Sequence, residues 1–330
     1  MIRRRVLWLA AALVVSTAAI SFLWLILARQ VEDGAGAWAE TRRAEGFTVS
    51  WQRLDVGGFP FYFDLGFVEP RLAKDGWTAE APLLSVTLLP WRLDKVDMAA
   101  PRLAVAGPGA AGSIEAVTAQ LLVEDGRAKS LSIEGVAAAS RLRGEEFGRA
   151  DRAGLVIDRF DPAAVDWQAE SLVGKVSLRG TRPAPRFAPQ MLFEEPYDLD
   201  LDGAVKGPIA DLIRWRDGGG TVDLRRVILA WGPLKLDGNA TLALDGEMRP
   251  VGAGTAKLRG LSPTLDRLAT RGQVKAQDAA VAKIVLGLLA QPTADGGSEV
   301  TAPITAQNGR LFLGPVSILT LPRLAEPAGS

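Results

Sequence analysis

The pattern of apolar and polar positions changes character after about residue 46. Residues 6–28, VLWLAAALVVSTAAISFLWLILA, are an uncharged run of 23. As a helix this run is about 34 Å long, enough for a hydrocarbon core of about 30 Å. Residues 36–46, GAWAETRRAEG, read as a helical continuation or a short stalk. Beyond them the apolar runs are short, rich in β-formers and often alternating: TVSWQRLDV, LLSVTLL, AVTAQLLVE, SLSIEGV, YDLDLDGAV, TVDLRRVILAW, TLALDG. Asp125-Gly126, Asp237-Gly238, Asp245-Gly246 and Asn308-Gly309 are the pairs that supply positive φ angles to tight hairpin turns. The pattern predicts a mainly β fold, antiparallel meanders with a few packing helices, preceded by one N-terminal transmembrane helix.

Helical spacing marks three further segments. Residues 208–216 open near Pro208, and residues 262–271 have Ser262 as a cap. Residues 278–290 place Val281, Ile284, Val285, Leu288 and Leu289 on one stripe, which predicts packing on a sheet. Four prolines in TRPAPRFAPQMLFEEP, residues 181–196, mark a linker. The expected organisation is therefore an anchor over 1–28, a juxtamembrane helix over 29–46, β-rich halves over 47–180 and 197–330, and the linker between them. WTAEAPLLSVTL from Trp77 and WQAESLVGKVSL from Trp167 echo each other at an offset of 90. Duplication and shared strand composition both account for the echo.

Charge and composition narrow the function classes. Lys plus Arg equals Asp plus Glu at 38 each, which gives a nucleic-acid partner no basic footprint. With no cysteine and no histidine, thiolate chemistry, a Ser-His-Asp triad and the usual zinc ligand sets are excluded. Arg3, Arg4 and Arg5 ahead of the apolar run predict a cytoplasmic N-terminus and a main domain in the periplasm, on the inner membrane. Thr17, Ala18 and Ala19 fit a cleavage site, but cutting there leaves ISFLWLILA on the mature chain, which favours an uncleaved anchor.

No motif fixes an activity. GPGAAG, residues 107–112, has dinucleotide-binding spacing but too little room for the crossover helix that must follow, so it reads as a loop. DLDLDG, residues 198–203, opens like an EF-hand loop, yet the position of the bidentate Glu holds Ile209. It reads as a strand. Glu145-Glu146 and Glu194-Glu195 are the carboxylate pairs a glycosidase-like hydrolase would need, in segments that read as solvated loops. The expectation is a non-enzymatic protein with no cofactor and no metal.

The densest aromatic stretch is GGFPFYFDL, residues 57–65. Read as a strand, it puts Phe59, Phe61, Phe63 and Leu65 on one face, with Trp77 and Trp91 as extensions. That face is either a core surface or a groove for acyl chains, and these six residues are the candidate lipid contacts. Together with EAP…LLPW, WGPLKLDGNATLALDG and NGRLFLGPV, the GFPFYF stretch resembles the alphaproteobacterial domain of unknown function 2125 family. The resemblance carries no catalytic or ligand residues. More loosely, an anchor followed by β-meanders is similar to AsmA-like envelope proteins, whose curved sheets with an apolar inner face are implicated in lipid movement. What the resemblance implies is binding or passage of phospholipid or another lipid along an apolar sheet face. The alternative is an envelope assembly or scaffold protein that holds protein partners.

Overall fold

The computed structural model describes residues 2–124, 127–161, 165–180, 193, 195–209, 211–272, 274–293, 297–314 and 316–325. The protein is mainly β and antiparallel, with four helices among the described residues. The chain divides into two compact units, one of Met1–Pro108 with Glu115–Lys129 and one of Gly109–Ile114 with Ser130–Ser330.

In the first unit the anchor run and the helical stretch after it form one helix, α1 (Ile2–Ala44). Its stretch Leu13–Ala44 is long and apolar enough to cross a membrane. Leu13, Val14, Val15, Phe22 and Leu23 are exposed. From Trp24 on, the helix acquires a buried side: Trp24, Leu27, Ala28, Val31 and Ala35 recur at helical spacing and pack on a sheet. That sheet is a meander whose arms are broken strands. Its first arm is β1 (Thr48–Ser50) with β2 (Arg53–Gly57), and its second is β3 (Phe63–Val68) with β4 (Arg71–Lys74). The third is β5 (Trp77–Glu80) with β6 (Leu83–Leu89), and the last is β7 (Arg92–Gly107). The breaks in the second and third arms coincide with Pro70 and Pro82, which cannot donate to a ladder. The two breaks answer each other, since the Glu69 amide donates to the Pro82 carbonyl (3.0 Å) and the Ala81 amide to the Pro70 carbonyl (3.2 Å).

Strand β8 (Ala110–Glu124) carries the boundary between the units. The second unit is a longer meander of β9 (Arg127–Leu142), β10 (Glu145–Phe160), β11 (Glu170–Gly180), β12 (Tyr197–Lys206), β13 (Thr221–Trp231), β14 (Leu234–Leu244) and β15 (Pro250–Arg259). Each pairs with the next. Helices α2 (Leu212–Asp217), α3 (Leu261–Thr270) and α4 (Ala276–Leu289) interrupt this order, followed by β16 (Gln291–Pro292). The ladder resumes from β15 to β17 (Ser298–Gln307), β18 (Arg310–Leu313) and β19 (Val316–Thr320). Of residues 181–196, all but 193, 195 and 196 lie outside the described residues. The strands that flank this segment, β11 and β12, are ladder partners, with Gly180 opposite Tyr197. Because Gly180 has no side chain, Tyr197 reaches across β11 and donates its hydroxyl to the Arg149 carbonyl at 2.7 Å.

Several local expectations need correcting. Asp237-Gly238 makes no turn: both residues sit inside β14, opposite Ile228 and Val227. At Asp245-Gly246 the positive φ falls on Met248 (61°), because the Asp245 carboxylate accepts the Glu247 and Arg249 amides and organises a longer loop. Asn308-Gly309 does form the expected tight turn, with φ of 52° and 69°. Asp125-Gly126 lies outside the described residues. Helix α2 begins at Leu212, capped by the Asp211 carboxylate, and Pro208 precedes it. The residue before α3 is Gly260, and Ser262 lies within the helix. In the stripe of helix α4 Val281, Ile284 and Leu288 are exposed, Ile284 at 67% and Leu288 at 82%, and do not pack on a sheet; the side chains of Val285 and Leu289 lie outside the described residues.

Candidate functional site

The six candidate contacts separate into three places. Residues 58–62 are a turn and not a strand, with a cis Phe59–Pro60 bond, so Phe59 and Phe61 do not share a sheet face with Phe63. Phe63 and Leu65, each 4% exposed, lie inside the strand and under α1. Phe63 stacks on Trp24 with ring centroids 5.7 Å apart, and Phe59 meets the same indole edge-on at 5.5 Å. The Trp24 indole also donates to the Tyr62 carbonyl at 3.3 Å. Trp91 occupies the turn between β6 and β7, and register places it at the same end of the sheet, since Phe63 faces Leu88 and Leu89 faces Arg92. Trp77 is at the far end of β7, where it covers Gly107, roughly 45 Å of strand away. Phe59, Phe61 and Trp91 thus gather at one end. Phe63 and Leu65 form the core beneath them, and Trp77 stands apart.

Trp24 escaped the sequence reading because it is buried within a continuous apolar run. The signal was present in Val31 and Ala35, which extend its helical spacing past the end of that run.

A second apolar surface emerges only from strand register. Across β10 to β13 one row reads Leu155, Val176, Leu201, Val227, and the neighbouring row reads Ala153, Leu178, Leu199, Leu229. The rows continue through Leu236 and Gly238 of β14 to Leu258 and Ala256 of β15. On the opposite face Lys175 pairs with Asp202 (3.8 Å) and Arg179 with Asp198 (3.2 Å). The sheet is therefore apolar on one side and charged on the other. On the apolar side the eight aliphatic residues of the two rows in β10 to β13 remain half-buried. At one end Tyr197 and Trp231 are buried with Phe193 and pack on Leu178, Leu199 and Leu229, and at the β15–β17 end Ala256, Leu258, Val300 and Ala306 are buried. Gly174, Gly203, Gly238 and Gly254 all project toward this face. A Cβ on Gly203 or Gly238 would come within 2.5 Å of a neighbouring strand's carbonyl oxygen. Backbones this close mark the inner side of a bend, and register shifts in β10, β12 and β13 add to it. The apolar side is the inside of the curl.

The carboxylates that the sequence singled out lie in ion pairs and strands. Glu195 receives a 2.5 Å hydrogen bond from the Arg267 guanidinium, which holds its carboxyl below the ordinary value, and its neighbour Glu194 lies outside the described residues. Glu146 pairs with Arg149 at 3.3 Å on an exposed strand end. Burial pushes the Tyr197 phenol upward. Asp200 and Asp202 of the DLDLDG stretch lie in β12, and no cluster of three or more metal-ligating side chains occurs among the described residues.

An N-terminal apolar helix whose second half is docked on an antiparallel meander, followed by a curled sheet with one apolar face, defines the class. Within it, the family model described as "Uncharacterized protein conserved in bacteria (DUF2125)" matches residues 24–322, and the chain belongs to that family. No curated protein and no solved structure matches the chain.

Proposed function

We propose that this is a non-catalytic periplasmic protein, anchored in the inner membrane by α1, that holds lipid acyl chains along the apolar face of its second unit. The observation that carries this reading is the pair of apolar rows across β10 to β13, continuous in register and only half-buried. Large aliphatic side chains normally reach full burial, so rows that stop short have room for an apolar occupant. The eight aliphatic residues of the rows carry no charge and no side-chain hydrogen-bonding group, which matches a hydrocarbon chain. Arg3, Arg4 and Arg5 ahead of the span support the orientation. The loose likeness to AsmA-like envelope proteins points the same way.

One observation favours a different reading. The exposed stripe of Val281, Ile284 and Leu288 on α4 is a surface that a protein partner could cover, as a scaffold would require.

A photo-crosslinking residue placed in the full chain in cells separates the two. At Leu201 or Leu229 it is expected to capture phospholipid, and at Asp200 or Arg226 on the charged face it is expected to capture none. Protein adducts at Leu201 and no lipid would overturn the proposal in favour of the scaffold.

A further inference from the structure

We infer that the two turns at the Trp24 end of the first unit form a membrane-docking tip, seated in the interface of the bilayer that α1 spans. The inference rests on the reading of α1 as a membrane span, and it assigns Phe59, Phe61, Tyr62 and Trp91 to bilayer contact.

The helix supplies the depth. If Val6 opens the hydrocarbon segment, the 18 residues to Leu23 cover about 27 Å, close to the thickness of a hydrocarbon core. Trp24 then stands at its boundary, the level at which tryptophan and tyrosine concentrate in membrane proteins. Residues 58–62 are tied to that level, since the Trp24 indole touches Phe59, stacks on Phe63 and donates to the Tyr62 carbonyl. Sheet register brings the turn that holds Trp91 to the same end.

The chemistry fits the location. Phe59 is 50% exposed, while Phe61 and Trp91 are each 67% exposed. Neither GFPFY, residues 58–62, nor PW, residues 90–91, contains a charged residue. In water this is a costly surface for two adjacent turns. At a bilayer interface the rings enter the acyl boundary while the Tyr62 hydroxyl and the Trp91 indole N–H face headgroups. Continuity with the span selects the occupant: the helix that staples the tip enters the lipid one residue earlier, which makes the bilayer its neighbour.

The test exploits the absence of native cysteine. Single-cysteine variants Val15→Cys, Phe61→Cys, Trp91→Cys and Trp77→Cys of the full chain are labelled with an environment-sensitive fluorophore. They are reconstituted in phosphatidylcholine–phosphatidylglycerol vesicles, with and without lipid carrying a nitroxide high on its acyl chain. Labels at positions 15, 61 and 91 are expected to lose emission to the nitroxide lipid. The label at 77 is expected to keep its emission and be quenched by aqueous iodide instead. If 61 and 91 follow 77 while 15 is quenched by lipid, the tip is in water and the inference fails with the span intact. If 15 also escapes the nitroxide lipid, the span reading fails and takes the inference with it. Labels at 61 and 91 shielded from both quenchers would mean that protein covers the tip, which also overturns it.

Discussion

Replacing Gly254 with alanine tests the curl on which the apolar face depends. A Cβ on Gly254 would lie 2.7 Å from both Cα and Cβ of Ala240, and closer still to the Asn239 carbonyl oxygen. Ordinary contact starts near 3.4 Å and the Asn239 oxygen would lie at 2.0 Å, so β14 and β15 must separate by about 1.4 Å at that point. The strands are joined by ten register pairs and cannot open locally without loss elsewhere in the ladder. Overpacking of this kind costs about 1–3 kcal/mol, from which the smaller entropy loss of alanine relative to glycine recovers up to about 1. For a unit of about 200 residues the overpacking alone lowers Tm by roughly 2–12 °C, and that is the gap expected below a control that gains the same entropy. Gly246→Ala is the control, because nothing lies within 4 Å of its added Cβ. Thermal unfolding of both variants beside the parent gives the answer. Gly254→Ala melting together with Gly246→Ala would refute the close backbone approach and the curl inferred from it.

Four further outcomes follow from the same geometry. Phe63→Ala removes the ring stacked on Trp24 and is expected to cost about 3–5 kcal/mol in urea unfolding of the full chain. Burial draws the Asp245 carboxyl upward, but the Arg249 and Glu247 amides and the Arg249 side chain outweigh it and hold the carboxyl below its ordinary value. A depressed folded-state pKa stabilises above the unfolded pKa and loses that contribution as pH falls through the folded one, so Asp245→Asn should flatten the acid limb of a stability–pH curve. Ile284→Asp and Leu288→Asp are expected to unfold within about 0.5 kcal/mol of the parent, since both sites are exposed. Stripping bound lipid should lower Tm, and re-adding phospholipid should restore it, because a ligand specific to the folded state stabilises it by mass action; an unchanged Tm would count against the lipid reading.

Local pattern revealed the class of fold and only part of the candidate site. Alternation identified β12 despite its calcium-like aspartates, since leucine between them leaves one face dry. Asn308-Gly309 was legible because its turn depends on the two residues themselves. Asp237-Gly238 was misread because Gly238 serves a neighbouring strand, a relation that only pairing discloses. The same limit hid the apolar rows: Val176, Leu201 and Val227 are far apart in sequence and become one surface through register. The stripe on α4 had the right period, but period does not say whether a second element stands opposite it. At residues 57–65 an expected strand gave way to a turn followed by a strand, which divided one imagined face into a tip and a core.

The contrast between the two units bears on the lipid proposal for the second. A sheet with one apolar face needs a further layer. In the first unit α1 supplies it, and Phe63 and Leu65 fall to 4% exposure. In the second, Phe193, with Arg267 of α3 beside it, covers one end of the face. Around β15 and β17 the inward residues are largely small, among them Gly254, Ala256, Ala302 and Ala306, and there Leu258 and Val300 are buried. Around β10 to β13 the inward residues are mostly leucine and valine, and apart from Tyr197 and Trp231, which are buried with Phe193, they stay half-buried. A helix is about 10 Å across and would require a broad trough. An extended partner strand would bring polar amides to a face that has no groups to satisfy them. A hydrocarbon chain is thin, flexible and without polar demands, and each methylene it shelters contributes about 0.8 kcal/mol. Of these three occupants it is the one whose needs the half-buried rows meet without any change in the fold.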